Sequence, residues 1–330
     1  MRQIPFRPIP LWWRQSSFAA FRDAYAEQVA AEPEDSTLLL FVGSGLSMNA
    51  GLKNWAGLLC DLAQRHDDGL ARSEEDKPLI SGRVSEILAR EDDPYRYLNA
   101  GSTLKAAYRD IEWRATLDDL LNGPQVREAQ SQIHRALAHV PWRRIITTNY
   151  DCLIESAFRS EHGDAQKIRV FHPRRGDLHA VEHTTDRAVY KIHGDVADPQ
   201  STLVLAREDY DQLYQEGEVS DRFMLSLATL VRTSRLILFL GYGHNDPYLR
   251  DLWKFVRTGV DDANVFALMP IEGGVPHADA GALPEFEKSA RALSGEGINV
   301  IGYSVDNGYA ELGEFMEYLR DFGTLEEEYQ

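Results

Sequence analysis

Short apolar runs that stop at glycine or a polar turn recur along the chain. Residues 37–42 (TLLLFV) form the first, ending at Gly43-Ser44-Gly45. Residues 144–148 (RIITT), 189–193 (VYKIH) and 236–240 (LILFL) repeat the pattern, and 264–269 and 299–303 are weaker versions of it. These runs lack the alternation of a half-exposed strand. They read as strands buried on both faces of a parallel sheet. Helical spacing follows several of them: from Leu46 or Ser47 onward, at 152–159, at 246–257 and at 309–322. Strand, turn, helix, repeated, predicts an α/β fold.

Two stretches break the alternation. Residues 58–139 hold few β-branched runs and many Leu, Ala, Arg and Glu at helical spacing, with breaks at Gly69, Pro78, Pro94 and Pro124. They predict an all-helical module inserted after the first strand-turn-helix. Residues 160–188 are polar and carry His162, His172, His179 and His183. With neither tight H-x₃-H spacing nor neighbouring cysteines, they read as a solvated loop or hairpin and not as a metal site. Residues 1–35 are an extension: a proline-rich start, the aromatic step Leu11-Trp12-Trp13, then a helix predicted at 18–31. The expected organisation is an N-terminal extension or assembly arm at 1–35, a Rossmann-like parallel sheet flanked by helices at 36–57 and 140–330, and the helical module at 58–139. Trp12 and Trp13 are candidates for a contact surface or for packing on the chain's own core.

Composition narrows the classes. In 330 residues, 43% hydrophobic and 26% charged positions are enough to build a core. A net charge of −17 repels phosphate backbones, so no direct nucleic-acid binding is expected. Two distant cysteines, Cys60 and Cys152, exclude a disulfide framework and a four-cysteine zinc site. The longest apolar runs, 38–42 and 236–240, fall far short of the ~20 residues of a membrane span. The start of the chain has no apolar stretch of signal-peptide length. A soluble protein of a reducing cytoplasm is expected, with no membrane association.

Four strand ends carry candidate chemistry. Gly43-Ser44-Gly45-Leu46-Ser47 sits at a strand-to-helix turn, where backbone N–H groups approach phosphates. It is neither a P-loop nor a complete G-x-G-x-x-G, and a plain tight turn also explains it. Thr147-Thr148-Asn149-Tyr150-Asp151 places an amide and a carboxylate where an open parallel sheet binds ligands, although Asn149 or Asp151 also suits a helix N-cap. Lys191-Ile192-His193-Gly194-Asp195 puts an imidazole at the same edge, with a pKa suited to accept a proton from a substrate hydroxyl. Gly241-Tyr242-Gly243-His244-Asn245-Asp246-Pro247 is a second glycine turn, with Asp246 placed to cap a helix that Pro247 opens.

This ordered set closely resembles the sirtuin-like family, in its prokaryotic NAD-hydrolase branch. The resemblance covers roughly residues 37–60 and 140–305. Sirtuins share the glycine turn with serine, a T-Q-N-x-D segment, an H-G with the active-site histidine, and a later glycine turn. Two departures matter. Sirtuin deacylases carry two C-x-x-C pairs after the H-G, and this chain has no cysteine after Cys152. Their G-I-P-D-F-R is replaced by Gly51-Leu52-Lys53-Asn54-Trp55, without the arginine. Both argue against an acyl-lysine groove, and no zinc is expected. The branch with a tryptophan here resembles NAD-consuming effectors of antiphage defence.

The resemblance implies an NAD⁺ hydrolase, with His193 as general base and Asn149 holding the ribose or the attacking water. It makes 36–57 and 140–330 an NAD-binding domain. Asp151 would bind the nicotinamide carboxamide, and Gly43, Ser44 and Gly45 the pyrophosphate through backbone donors. Ser47 and Thr148 would line the site, while Gly241, Tyr242 and Asp246 would lie near the adenosine half. It further implies a homo-oligomer, or a partner such as a hexameric DNA-translocase-type ATPase or a short Argonaute. The alternatives are an NAD-dependent deacylase or ADP-ribosyl transferase using the same pocket, and a catalytically silent subunit that senses NAD or ADP-ribose.

Overall fold

A computed structural model describes residues 9–31, 37–69, 79–123, 126, 131–163, 168–172, 187–214, 218–242, 246–257, 264–271 and 283–322. A short 3-10 turn at Leu11–Arg14 leads into α1 (Ser16–Ala30), and β1 (Leu38–Val42) follows. The helices α2 (Ser44–Met48), α3 (Trp55–Asp68), α4 (Ile80–Leu88), α5 (Arg96–Ala107), α6 (Asp110–Asn122) and α7 (Gln132–His139) come next. Then β2 (Arg144–Thr147), α8 (Leu153–His162), β3 (Arg169–Phe171) and β4 (Ala188–Lys191) alternate. The helices α9 (Arg207–Tyr214) and α10 (Glu218–Arg232) precede β5 (Leu236–Leu240). The chain continues through α11 (Pro247–Arg257), β6 (Asn264–Ile271), α12 (Leu283–Gly295), β7 (Asn299–Ser304) and α13 (Ala310–Arg320).

The seven strands form one parallel sheet in the order β3-β4-β2-β1-β5-β6-β7. This is the Rossmann-like α/β architecture expected from the buried apolar runs. Every residue of β1 and β5 is buried. Leu38, Leu40 and Val42 pack on one face against Phe21 of α1, Leu137 of α7 and Phe315 of α13. Leu39 and Phe41 pack on the other against Tyr210 of α9, Leu227 of α10 and Leu249 of α11. A strand covered on both sides needs apolar residues at every position, and hence the absence of alternation. From β1 the chain first builds one half of the sheet, then returns to β5 on the other side of β1. The strand order therefore reverses between β1 and β5, and their carboxyl ends open a crevice there.

Among the described residues, the chain between β1 and β2 is helical. Leu59, Leu62, Val84, Leu104 and Leu117 of α3–α6 form an apolar cluster, joined by Val196, Leu203 and Leu205. These helices thus pack on the segment that follows β4.

Two expectations are corrected. The strand read at 189–193 stops at Lys191, because Gly194 adopts φ +95° and returns its N–H to the Lys191 carbonyl. His193 therefore sits in a tight turn, not on the strand. The polar stretch 160–188, read as loop or hairpin, contains β3, which pairs with β4 in parallel. Three residues are too few to show a pattern. In that stretch His162 Nε2 donates to the Ala138 carbonyl at 2.9 Å. His172 is buried with Nε2 3.6 Å from Asp198. His179 and His183 lie outside the described residues. Of the two readings of Trp12, the structure bears out packing on the chain's own core. It is fully buried, packs edge-on against Phe18 and Phe315, and donates from Nε1 to the Glu311 carbonyl at 3.1 Å.

Trp12→Ala is expected to destabilise the chain by about 3–5 kcal/mol, the usual cost of emptying a buried indole site. Equilibrium urea unfolding checks this.

Candidate active site

The two glycine turns meet across the crevice. Gly43 N–H donates to the Leu240 carbonyl at 3.0 Å and Gly45 N–H to the Gly241 carbonyl at 2.8 Å. A Cβ on Gly43 would stand 2.5 Å from the Gly241 oxygen, and one on Gly241, whose φ is +62°, would stand 2.4 Å from the Leu46 nitrogen. Backbone meets backbone here, so neither side can yield to a side chain. This corrects the expected phosphate cradle. The Gly43 and Gly45 donors are spent on β5 and its turn, and these glycines serve close approach.

The Thr147–Asp151 turn is fastened to the same place. Thr147 Oγ1 donates to the Val42 carbonyl at 3.1 Å and accepts from Asn149 N at 3.0 Å. The Asn149 side chain donates from Nδ2 to the Gly43 carbonyl at 3.1 Å and to Ser47 Oγ at 2.8 Å. A carbonyl only accepts, so it fixes which end of the amide is nitrogen and turns Oδ1 the other way. Ser47 Oγ donates on to Asp151 Oδ2 at 2.8 Å, and Asp151 Oδ1 accepts from Leu153 N at 3.0 Å at the start of α8. Asp151 thus closes an Asx turn onto the first residue of α8, one position before the N-cap Cys152, and also belongs to the site network.

Beneath this turn lies Lys191, fully buried. Its Nζ donates to the Asp151 carbonyl at 2.6 Å and lies 3.2 Å from Glu155 and 3.3 Å from Asp195. Burial disfavours the ammonium, but the carboxylates of Glu155, Asp195 and Asp151 outweigh it and hold it above the ordinary lysine range. Cys152 beside it is pushed up to about 12, chiefly by burial, and stays a neutral thiol.

His193 faces the cavity from the turn after β4 and is 2% exposed. Its Nε2 lies 2.9 Å from the Tyr214 hydroxyl and its Nδ1 lies 3.3 Å from the Tyr210 hydroxyl. Burial pushes the imidazole down to about 3, so it is neutral near pH 7. Tyr210 donates to Asp246 Oδ2 at 2.8 Å. Asp246 Oδ1 accepts from Tyr248 N and Leu249 N, which makes it the cap of α11. Burial pushes this carboxyl up to about 6, against the pull of those hydrogen bonds.

Ser47, Asn149, Asp151, His193, Tyr210 and Asp246 line one cavity of about 450 Å³, within the size range of cofactor sites. Every residue expected at the site borders it: Gly43, Ser44, Gly45, Ser47, Thr148, Asn149, Asp151, His193, Gly241, Tyr242 and Asp246. Gly243, His244 and Asn245 lie outside the described residues. The cavity continues to Leu268, Pro270, Tyr303 and Tyr309 at the ends of β6 and β7. Sequence reasoning missed Tyr210 and Tyr214, whose four-residue spacing in REDYDQLY was the available signal. It also missed the wall of Trp55 and Tyr97, whose rings stack at 5.0 Å.

Comparison with known proteins gives the chain's relatives. Residues 143–301 match the family model for the SIR2-like domain. Proteins called NAD(+) hydrolase ThsA are similar over more of the chain. The one from Enterococcus faecium is 31% identical over 225 residues, 68% of this chain and 41% of its own length. That from Cytobacillus dafuensis is 28% identical over 242 residues, 72% of this chain and 42% of its own. That from Bacillus cereus is 29% identical over 239 residues, 72% of this chain and 44% of its own. The chain thus spans less than half the length of these curated relatives. Residues 143–301, which run from the start of β2 into β7, are thus similar to a SIR2-like domain.

Two outcomes are expected. Lys191→Met should cost about 3–5 kcal/mol in urea unfolding, because it strands the buried Glu155 and Asp195 carboxylates. Acid should also act through His193. Between its ordinary pKa of 6.5 and about 3, the unfolded chain binds a proton that the folded chain refuses. Its stabilisation is present above pH 6.5 and is lost as the pH falls through this window. His134, pushed down to about 4 by burial, acts in the same sense. Asp246 opposes them, since its stabilisation is present below 3.8 and lost as the pH rises through about 6. The urea midpoint of His193→Gln should therefore fall less steeply than that of the wild type between pH 6.5 and 4. Parallel curves would contradict the buried neutral imidazole.

Proposed function

We propose that this chain is an NAD⁺ hydrolase that cleaves the bond between nicotinamide and ribose, giving ADP-ribose and nicotinamide. The observation that carries the reading is the convergence of Asn149 and His193 on one dinucleotide-sized cavity at the strand-order reversal of a parallel sheet. The relatives' shared name, NAD(+) hydrolase, supports it.

The chemistry asks little of an acid. Nicotinamide leaves as a neutral base, and the transition state resembles an oxocarbenium ion. The site must hold the ribose, orient a water and take its proton. Asn149 does the holding, with Nδ2 pinned to Gly43 and Ser47 and Oδ1 left to accept from a hydroxyl or a water. His193, kept neutral by burial, takes the proton as water adds to the anomeric carbon. Asp151 and Thr148 flank the nicotinamide side. Ser44, at the start of α2, is the element of the first turn that meets the pyrophosphate. The aromatic and apolar end at Tyr303, Tyr309, Leu268 and Pro270 suits the adenosine half together with Tyr242 and Gly241.

In the cell we propose an effector of antiphage defence that depletes NAD⁺ when triggered. An enzyme of this kind must be restrained at rest, so its activity depends on assembly with its own copies or with a partner chain. The helical stretch 58–139, more than the buried Trp12, is the surface offered for that contact.

Purified protein is incubated with NAD⁺, alone and with the product of a neighbouring gene, with and without an acetylated peptide. The expected result is free ADP-ribose and nicotinamide in equal amounts, independent of peptide. His193→Ala and Asn149→Ala should each lower turnover by ~10²- to 10⁴-fold while far-UV circular dichroism is unchanged. Turnover that requires the peptide would indicate a deacylase. A folded wild-type chain that binds NAD⁺ without consuming it under all conditions would indicate a sensing subunit.

A further inference from the structure

Both nitrogens of His193 are engaged, and the protons among its neighbours can be counted. A phenol carries one proton. The Tyr210 oxygen stands 2.8 Å from Asp246 Oδ2 and 3.3 Å from His193 Nδ1. An ionised carboxylate only accepts, so Tyr210 gives its proton to Asp246 and turns a lone pair to the imidazole. Nδ1 then has to carry the hydrogen. The lone pair falls on Nε2, where the Tyr214 hydroxyl donates to it at 2.9 Å.

The arrangement is anchored at its far end. Asp246 Oδ1 is fixed by the N–H groups of Tyr248 and Leu249, so the carboxylate cannot swing away without uncapping α11. Its pKa near 6 leaves it ionised at pH 7.5. Burial holds Tyr210 and Tyr214 far above the ordinary phenol range, so both keep their protons. The Tyr210 ring is itself held: it lies 6.3 Å from Trp55 in a stacked arrangement and 5.7 Å from Tyr214. Its helix is pinned by Asp209, which accepts from Ala206 N at 3.0 Å and pairs with Lys105 of α5 at 2.5 Å.

We propose that Tyr210, backed by Asp246, is a positioning residue that holds the His193 imidazole in its Nδ1–H form and makes Nε2 the proton-accepting nitrogen once the Tyr214 hydroxyl gives up that lone pair. An imidazole acts as a base only through the nitrogen without hydrogen, and a hydrogen bond at the other nitrogen sets which one that is. The structure thereby assigns Asp246 to the histidine, not to the adenosine half of the ligand. The assignment deepens the hydrolase reading and rests on it for the meaning of the base. The tautomer itself is independent of that reading.

The test uses the full chain labelled with ¹⁵N-histidine at pH 7.5. Two-bond ¹H–¹⁵N correlation separates protonated from unprotonated ring nitrogens, and the His193 signals are assigned by their loss in His193→Gln. The wild type is expected to show neutral His193 with hydrogen on Nδ1. Tyr210→Phe, which keeps the ring packing, should shift the population to the Nε2–H form, whereas Tyr214→Phe should leave hydrogen on Nδ1. In NAD⁺ turnover, Tyr210→Phe should lower kcat by ~10-fold or more with KM little changed, as for a group that acts on the transition state. A wild-type Nε2–H tautomer, or a tautomer unmoved by Tyr210→Phe, would overturn the assignment. The expected tautomers in a chain that never consumes NAD⁺ would overturn the hydrolase reading and leave the assignment standing.

Discussion

The site depends on a contact between two turns that have no side chains to keep them apart. Gly43 and Gly45 after β1 press on Gly241 after β5, held by hydrogen bonds of 3.0 and 2.8 Å. A methyl group at any of the three would overlap backbone atoms at 2.4–2.8 Å. This contact closes the floor of the crevice between the two central strands. It also leaves the Gly43 carbonyl as the acceptor that orients Asn149. One steric condition therefore shapes the cavity floor and aims the amide on its wall.

Electrostatics complete what sterics begin. The chain carries −17 overall, yet the group under the Asn149–Asp151 turn is a fully buried cation. Lys191 binds the turn through the Asp151 carbonyl and balances Glu155 and Asp195. A neutral residue could not hold two buried carboxylates, and a mobile one could not hold a turn. Lys191 belongs to the same five-residue stretch as His193, so the cation that shapes one wall comes with the imidazole of the next.

The elements legible in the sequence were those whose burial left no alternation. Residues 38–42 and 236–240 announced central strands because both faces of the sheet are covered, and the polar residues after such strands had to lie at the ligand edge. The glycine turns were legible as turns, but not the reason for their glycines, since the partner backbone lies about 200 positions away in the chain. The tyrosines of α9 were not read as site residues because a buried tyrosine at helical spacing looks like core, and it takes the fold to set Tyr210 between Asp246 and His193. β3 was too short to show a pattern, and Trp12 was equally consistent with packing or contact until its neighbours were known.

The helices between β1 and β2 help to build this wall. Gly101 of α5 lies so close to the Leu205 carbonyl that a Cβ would meet it at 2.5 Å, Lys105 pairs with Asp209, and Ser102 Oγ donates to Glu208 at 2.6 Å. From α6, Arg114 donates to the carbonyls of Asp198 and Ser201 in the loop after His193. The helix that carries Tyr210 and Tyr214 and the loop that carries His193 are thus both fastened to the stretch inserted between the first two strands. A displacement of α5 or α6 would be felt at the imidazole through two short, directional sets of bonds. The position of the imidazole therefore depends on how α5 and α6 are seated, and not only on the turn that carries it.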